Sequence, residues 1–197
     1  SILFSDPAEN VLESYTFGAD WTPTLADHSW TRDLDGSAGT WKLCTNPTPG
    51  FGVGGSLFED YAPLPTFDVA AGYYASGTDV TLSAPLGYDI RYTVNGYEPN
   101  AGSQLYSGPI SVNATTVLRA RCIDPAGIMA DSHVTTNTYF TGDDNHTILV
   151  VSISGNDQED GEWPGGWGGG VDEPAHIEFF NVDGTFWCEA SGCLLYT

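Results

Sequence analysis

The chain has 197 residues, 41% hydrophobic and 13% aromatic, with 24 glycines and 12 prolines. That composition supplies a core and many turns, and excludes both a disordered polymer and a long-helix protein. Five fixed cations (Arg32, Lys42, Arg91, Arg119 and Arg121) stand against 26 carboxylates, a formal net charge of −21. Such a surface repels phosphate backbones and anionic lipid headgroups, so no nucleic-acid partner is expected.

In chain order, Ile2-Leu3-Phe4 is a short apolar run that begins at once, with no basic leader before it; it reads as a mature or trimmed start. Val11, Tyr15 and Phe17 continue an extended pattern, and Trp21, Trp30 and Trp41 follow at roughly ten-residue spacing. Asn46-Pro47-Thr48-Pro49-Gly50 closes this part. We take 1–55 as one β-rich region and 56–65, with its Pro63-Leu64-Pro65, as a linker.

Residues 66–140 carry the clearest periodicity. Val80 and Leu82, then Ile90, Tyr92 and Val94, then Leu118, Ala120 and Cys122 each alternate with polar neighbours, the mark of half-buried strands. Asn95-Gly96 is a tight-turn signal, and strands at about ten-residue spacing predict a sandwich. In 141–197, Thr147 to Ile153 reads as a buried strand and His176 to Phe180 as another. Asn156 to Gly170 between them is acidic, then rich in Gly and Trp. No window of about 18 apolar residues occurs, so no membrane span is predicted.

Three resemblances follow in order. Asn10 to Tyr15, His28 to Arg32, Asp35-Gly36-Ser37, Trp41 and Thr45 to Gly50 resemble the second half of a lamin-tail-like domain, an immunoglobulin-like module of bacterial surfaces. Gly72-Tyr73-Tyr74, Val80-Thr81-Leu82, Ile90 to Pro99, Leu105 to Ile110, Thr116 to Arg121 and Thr136 to Phe140 resemble the immunoglobulin-like C-terminal domain of chitobiase and β-hexosaminidase-type enzymes over its full length. Val94-Asn95-Gly96 stands where that family usually has Thr-Asp-Gly, which keeps the turn chemistry. His146 to Ile153 and Glu173 to Phe180, with Asp183-Gly184-Thr185 closing a hairpin, resemble the opening of a CotH-type domain. That family's nucleotide and metal residues lie beyond this opening, so no kinase role passes to any residue here. The expected architecture is therefore all-β, tandem immunoglobulin-like β-sandwiches: 1–55 partial lamin-tail-like, 56–65 linker, 66–140 immunoglobulin-like, 141–197 CotH-like.

Neither a nucleophile elbow, a phosphate-binding loop nor a zinc-ligand spacing is present, so no catalytic residue, no enzyme activity and no cofactor is expected. Asp157, Glu159 and Asp160 offer oxygen ligands that suit calcium; a solvated acidic loop is the plainer reading. Cys44, Cys122, Cys188 and Cys193 form an even set in an acidic chain, which favours disulfides. Three pairings exist. We favour Cys188–Cys193 within a hairpin and Cys44–Cys122 between domains, with Cys44–Cys193 as the pairing that strand exchange would require. Asn113-Ala114-Thr115 and Asn145-His146-Thr147 are glycosylation sequons. Trp163 and Trp167 offer rings for stacking on sugars, and Arg119 with Arg121 are expected to pair with carboxylates.

These readings give two expectations for an extracellular or cell-surface protein. The first is a non-catalytic structural subunit whose partners are other copies of itself, assembling head to tail into a filament by strand addition. Leu194, Leu195 and Tyr196, or residues 1–5, would be the donated strand. The alternative is a carbohydrate- or surface-binding accessory module of a larger secreted bacterial protein, with glycans as partners.

Overall fold

The computed structural model describes residues 2–5, 11–15, 24–25, 27–33, 39–48, 55–142, 147–155 and 174–193. Among them all regular structure is β, without a helix. The chain divides into two compact units, 1–60 and 61–197.

In the first unit, β1 (Ile2–Ser5) pairs antiparallel with β2 (Val11–Tyr15). Strands β3 (Ser29–Arg32), β4 (Trp41–Cys44) and β5 (Leu57–Phe58) form a second sheet in that order. Leu43 and Cys44 are its buried residues, at 0% and 1% exposure. The Arg32 guanidinium lies 5.3 Å from the centroid of the Trp41 ring, and Lys42 is ion-paired with Glu59. Two expectations meet the structure here. Residues 2–5, expected as a strand to donate, are paired along one edge with β2 within the chain. The segment 56–65, expected as a linker, holds strand β5, and the boundary between units falls inside it.

In the second unit, β6 (Thr66–Phe67), β7 (Gly72–Tyr74), β8 (Thr78–Val80), β9 (Leu82–Ser83), β10 (Asp89–Thr93), β11 (Gln104–Leu105), β12 (Ile110–Val112), β13 (Thr116–Ile123) and β14 (Thr135–Thr141) build a sandwich. One layer is a five-stranded sheet in the order β11-β10-β13-β14-β7; the other consists of the pairs β8–β12 and β6–β9. Period-two alternation drives this arrangement: Ile90 and Tyr92 on β10, and Leu118, Ala120 and Cys122 on β13, all turn inward. They meet Val80, Leu82, Ile110, Val112 and Tyr139 in one core. Tyr139 is fully buried and its hydroxyl donates to the Val69 carbonyl at 2.9 Å, so the ring can be buried without leaving its polar tip unmatched. Asn95-Gly96 does turn the chain, with Gly96 at φ +82°, but does not close a two-residue hairpin. Strand β11 returns to β10 only at Gln104, after a loop anchored by Asn100 and Ser103.

A third sheet, β15 (Val150–Gly155), β16 (Pro174–Phe180) and β17 (Phe186–Cys193), is antiparallel in sequence order and belongs to the same unit. The strand expected from Thr147 begins at Val150 and is not buried: Ile148 is 71% exposed, and Val151 and Ile153 also face out. Asp183-Gly184-Thr185 closes the β16–β17 hairpin as expected. Gly184, at φ +83°, donates to the Asn181 carbonyl, while its own carbonyl accepts from the Tyr73 amide at 3.3 Å. A Cβ at position 184 would lie 1.9 Å from the Tyr73 ring. Gly184→Ala therefore meets both a left-handed backbone and a steric clash; we expect a loss of about 1–3 kcal/mol in urea unfolding, whereas Gly127→Ala, with open space at its Cβ, pays the backbone cost alone.

Candidate functional site

Because β10 and β13 turn their apolar residues inward, their other side carries Arg91, Arg119 and Arg121. The register sets Arg91 directly opposite Arg121, an unfavourable juxtaposition that needs compensation. Arg121 has it: Nη1 lies 3.5 Å from Glu98 and 3.9 Å from Asp131, and Nη2 donates to the Ser132 carbonyl at 2.9 Å. Arg91 donates to the Ser103 carbonyl at 3.0 Å and sits 3.9 Å from Asp89. Arg119 donates to Thr136 Oγ1 and to the Gly96 carbonyl. The expected carboxylate pairing thus holds for Arg121, whereas Arg119 is held by a hydroxyl and a carbonyl. The row is a scaffold for the loop 95–103, whose carbonyls it gathers.

Next to this row the third sheet covers β13 and β14 with its polar side. Six of the seven buried polar residues among those described lie in this seam: Arg119, Thr136, Thr138, Ser154, His176 and Glu178. Glu178 is 1% exposed. It accepts the Thr138 amide at 3.1 Å on one oxygen and the Thr138 hydroxyl on the other. With that proton committed to Glu178, the Ser152 hydroxyl donates to Thr138 Oγ1, at 2.7 Å. Burial pushes the Glu178 carboxyl up from its usual range, against the Thr138 hydrogen bonds and Arg119, which pull it down. His176 is also buried; Nδ1 is 2.8 Å from Ser191 Oγ, and Nε2 makes no hydrogen bond but stands 3.4 Å from Glu189. Burial holds its imidazole below the ordinary value, with Glu189 opposing and Arg119 assisting. At the far end Phe180 packs edge-on against Phe140 at 5.1 Å, with Tyr73 beside both.

The opposite side of the sheet is apolar. Val151, Ile153, Ile177, Phe179, Trp187 and Cys188 lie on it or at its rim, with Trp187 60% exposed. The sheet is inside-out: Glu178 and His176 are buried, while Val151 and Ile153 are exposed and Ile177 and Phe179 only half-buried. The alternation of His176, Glu178 and Phe180 with Ile177 and Phe179 was legible, but polarity alone assigns the wrong side.

The cysteines do not pair as expected. Cys122 is a free thiol, fully buried in the sandwich core, where the lack of polar surroundings pushes its pKa up to about 11; no Cys44–Cys122 bridge is formed. Cys188 is free and exposed. Cys188 and Cys193 are not across a hairpin from each other but on the one strand β17. Five residues along the strand set their backbones about 16 Å apart, beyond the reach of a bridge. Asn113 is exposed in the turn between β12 and β13, where a sequon is accessible. Asn145, the acidic positions Asp157, Glu159 and Asp160, the tryptophans Trp163 and Trp167, and the terminal Leu194, Leu195 and Tyr196 lie outside the described residues. No group of metal-ligating side chains occurs among the described residues.

Most of the sandwich core falls within a family match. Residues 69–136 match the model of the chitobiase/beta-hexosaminidase C-terminal domain. That is a carbohydrate-associated accessory domain of immunoglobulin type, and the match spans about a third of this chain. It covers the middle of the three resemblances; the lamin-tail-like and CotH-type stretches are outside it. No curated protein and no solved structure matched the chain. No helix among the described residues is long and apolar enough to cross a membrane.

The thiol environments give a direct check. In a Cys44→Ser/Cys193→Ser variant at mildly alkaline pH, Ellman's reagent is expected to titrate Cys188 at once and Cys122 only after denaturation. Two rapidly reacting thiols in the native protein would contradict the burial of Cys122.

Proposed function

We propose that the chain is a non-catalytic accessory module of a larger secreted protein, holding it to carbohydrate or to a carbohydrate-bearing surface. The observation that carries this reading is the family match at residues 69–136, which falls on a sandwich with a complete core. The charge agrees with it: at a net −21 the chain repels polyanions, so an uncharged polymer suits it better than nucleic acid. Among the described residues the exposed rings are Tyr97 at 41%, Phe186 at 41% and Trp187 at 60%; Phe186 packs against Phe180, so Tyr97 and Trp187 are the better placed to stack on a sugar face.

Head-to-tail assembly into a filament is the second reading. One observation favours it: among the described residues β17 has a strand on one side only, and its eight residues contain neither proline nor lysine to blunt that edge. Against it, residues 2–5 and Cys193 already have β2 and Pro174 as strand partners within the chain.

The two readings separate in one pair of measurements. Sedimentation with insoluble chitin, cellulose and peptidoglycan is expected to retain the chain, and Tyr97→Ala with Trp187→Ala to weaken retention about tenfold, the equivalent of about 1.4 kcal/mol. No retention on any of the three, together with ordered polymers in electron micrographs of the unreduced protein, would replace the first reading by the second.

A further inference from the structure

The seam under the third sheet contains two titratable groups that no binding role uses, and they carry opposite charge when ionised. Glu178 is 1% exposed and His176 is 7% exposed, on the same strand and the same side, two residues apart. Both are covered by the five-stranded sheet: Thr138 on β14 contacts Glu178, and Arg119 on β13 acts electrostatically on both. From β17, Glu189 faces both groups and Ser191 holds the imidazole; from β15, Ser152 reaches the cluster through Thr138, and Ser154 lies opposite His176. Glu98 and Arg121 act on Arg119 in turn.

We propose that this seam is proton-compensated: acidification loosens it through His176 and tightens it through Glu178, so that the third sheet stays docked in mildly acidic surroundings. The geometry dictates the two signs. An imidazole shut between sheets resists becoming a cation, the more so beside Arg119. A carboxyl shut in the same seam resists becoming an anion, and only partial relief comes from Thr138 and Arg119. Each group therefore links docking to protons, in opposite directions.

The linkage follows from the directions of the two shifts. His176 is held below its ordinary 6.5, so its contribution is full above that value and is lost as pH falls below it. Glu178 is raised above its ordinary 4.5, so its contribution is full below that value and is lost as pH rises through the raised one. The two windows open from opposite ends of the mildly acidic range, that of His176 downward from 6.5 and that of Glu178 upward from 4.5, and their effects oppose each other there. Carboxylates away from the seam contribute a common background that cancels when variants are compared with the wild-type chain; Glu189, which faces both groups, is left in place in each variant.

Calorimetry of the full chain at about pH 7.5 and about pH 4.5 tests this, using His176→Gln and Glu178→Gln. Measured relative to wild type, the melting temperature of His176→Gln is expected to rise on acidification and that of Glu178→Gln to fall, each by at least about 2 °C. Differences that are flat with pH, or that share a sign, overturn the proposal. A second reading needs no substitution: NMR titration of the histidines in the unmodified chain is expected to show His176 neutral to a lower pH than a solvent-accessible histidine. Titration of His176 at or above about 6.5 overturns it as well.

Discussion

A carboxylate inside a protein must be matched or it will not stay there, and Glu178 is matched by a single residue of the facing sheet. Thr138 presents both its amide and its hydroxyl to the two carboxylate oxygens, and Ser152 completes the chain of donors. Because Thr138 belongs to the sandwich and Glu178 to the third sheet, this contact fixes how one lies on the other. The cost of burying a charge makes the register specific: a slip by one residue would point Glu178 to the outer side and leave the Thr138 hydroxyl and amide without their acceptor.

The same contact explains why the third sheet is inside-out. Strand β14 is hydrogen-bonded on both edges, and its outer side bears Thr136 and Thr138, with Arg119 next to them on β13. An apolar cover would strand those groups, so the cover is polar, and the alternation of β15 and β16 then sends Val151, Ile153, Ile177 and Phe179 outward. The apolar contribution to docking is concentrated at one end instead, where Phe180 packs edge-on against Phe140 and Phe186, Tyr73 lies tilted against Phe140 and Phe180, and Gly184 lets the hairpin turn come against Tyr73. Polar matching sets the register and the aromatic cluster adds burial.

The arginines follow a related logic. Three of the five cations in a strongly acidic chain lie on one side of one sheet, which reads at first as a site for an anion. Their guanidinium groups are instead directed at the carbonyls of Gly96, Pro99, Ser103 and Ser132 and at Glu98 and Asp131. A planar fork with five donors is suited to gathering an irregular loop over a sheet, and the loop 95–103 is held in this way. It takes up the place where a two-residue hairpin at Asn95-Gly96 would have been.

Period-two alternation around Ile90, Tyr92, Leu118, Ala120 and Cys122 was enough to determine, from sequence, an all-β chain with a sandwich over residues 66–140, because inward apolar residues on paired strands leave few other ways to bury a core. Asp183-Gly184-Thr185 likewise determined its hairpin, since glycine there meets a left-handed backbone. The cysteines and the third sheet were decided by tertiary structure. Pairing of thiols depends on distance in space, and the fold put Cys122 in a core and Cys188 on a surface. Which side of an alternating strand is buried depends on what covers it, and for β15 to β17 the cover is a polar one: local sequence carries the period of a strand, while the partner sheet decides which half of that period is hidden from water.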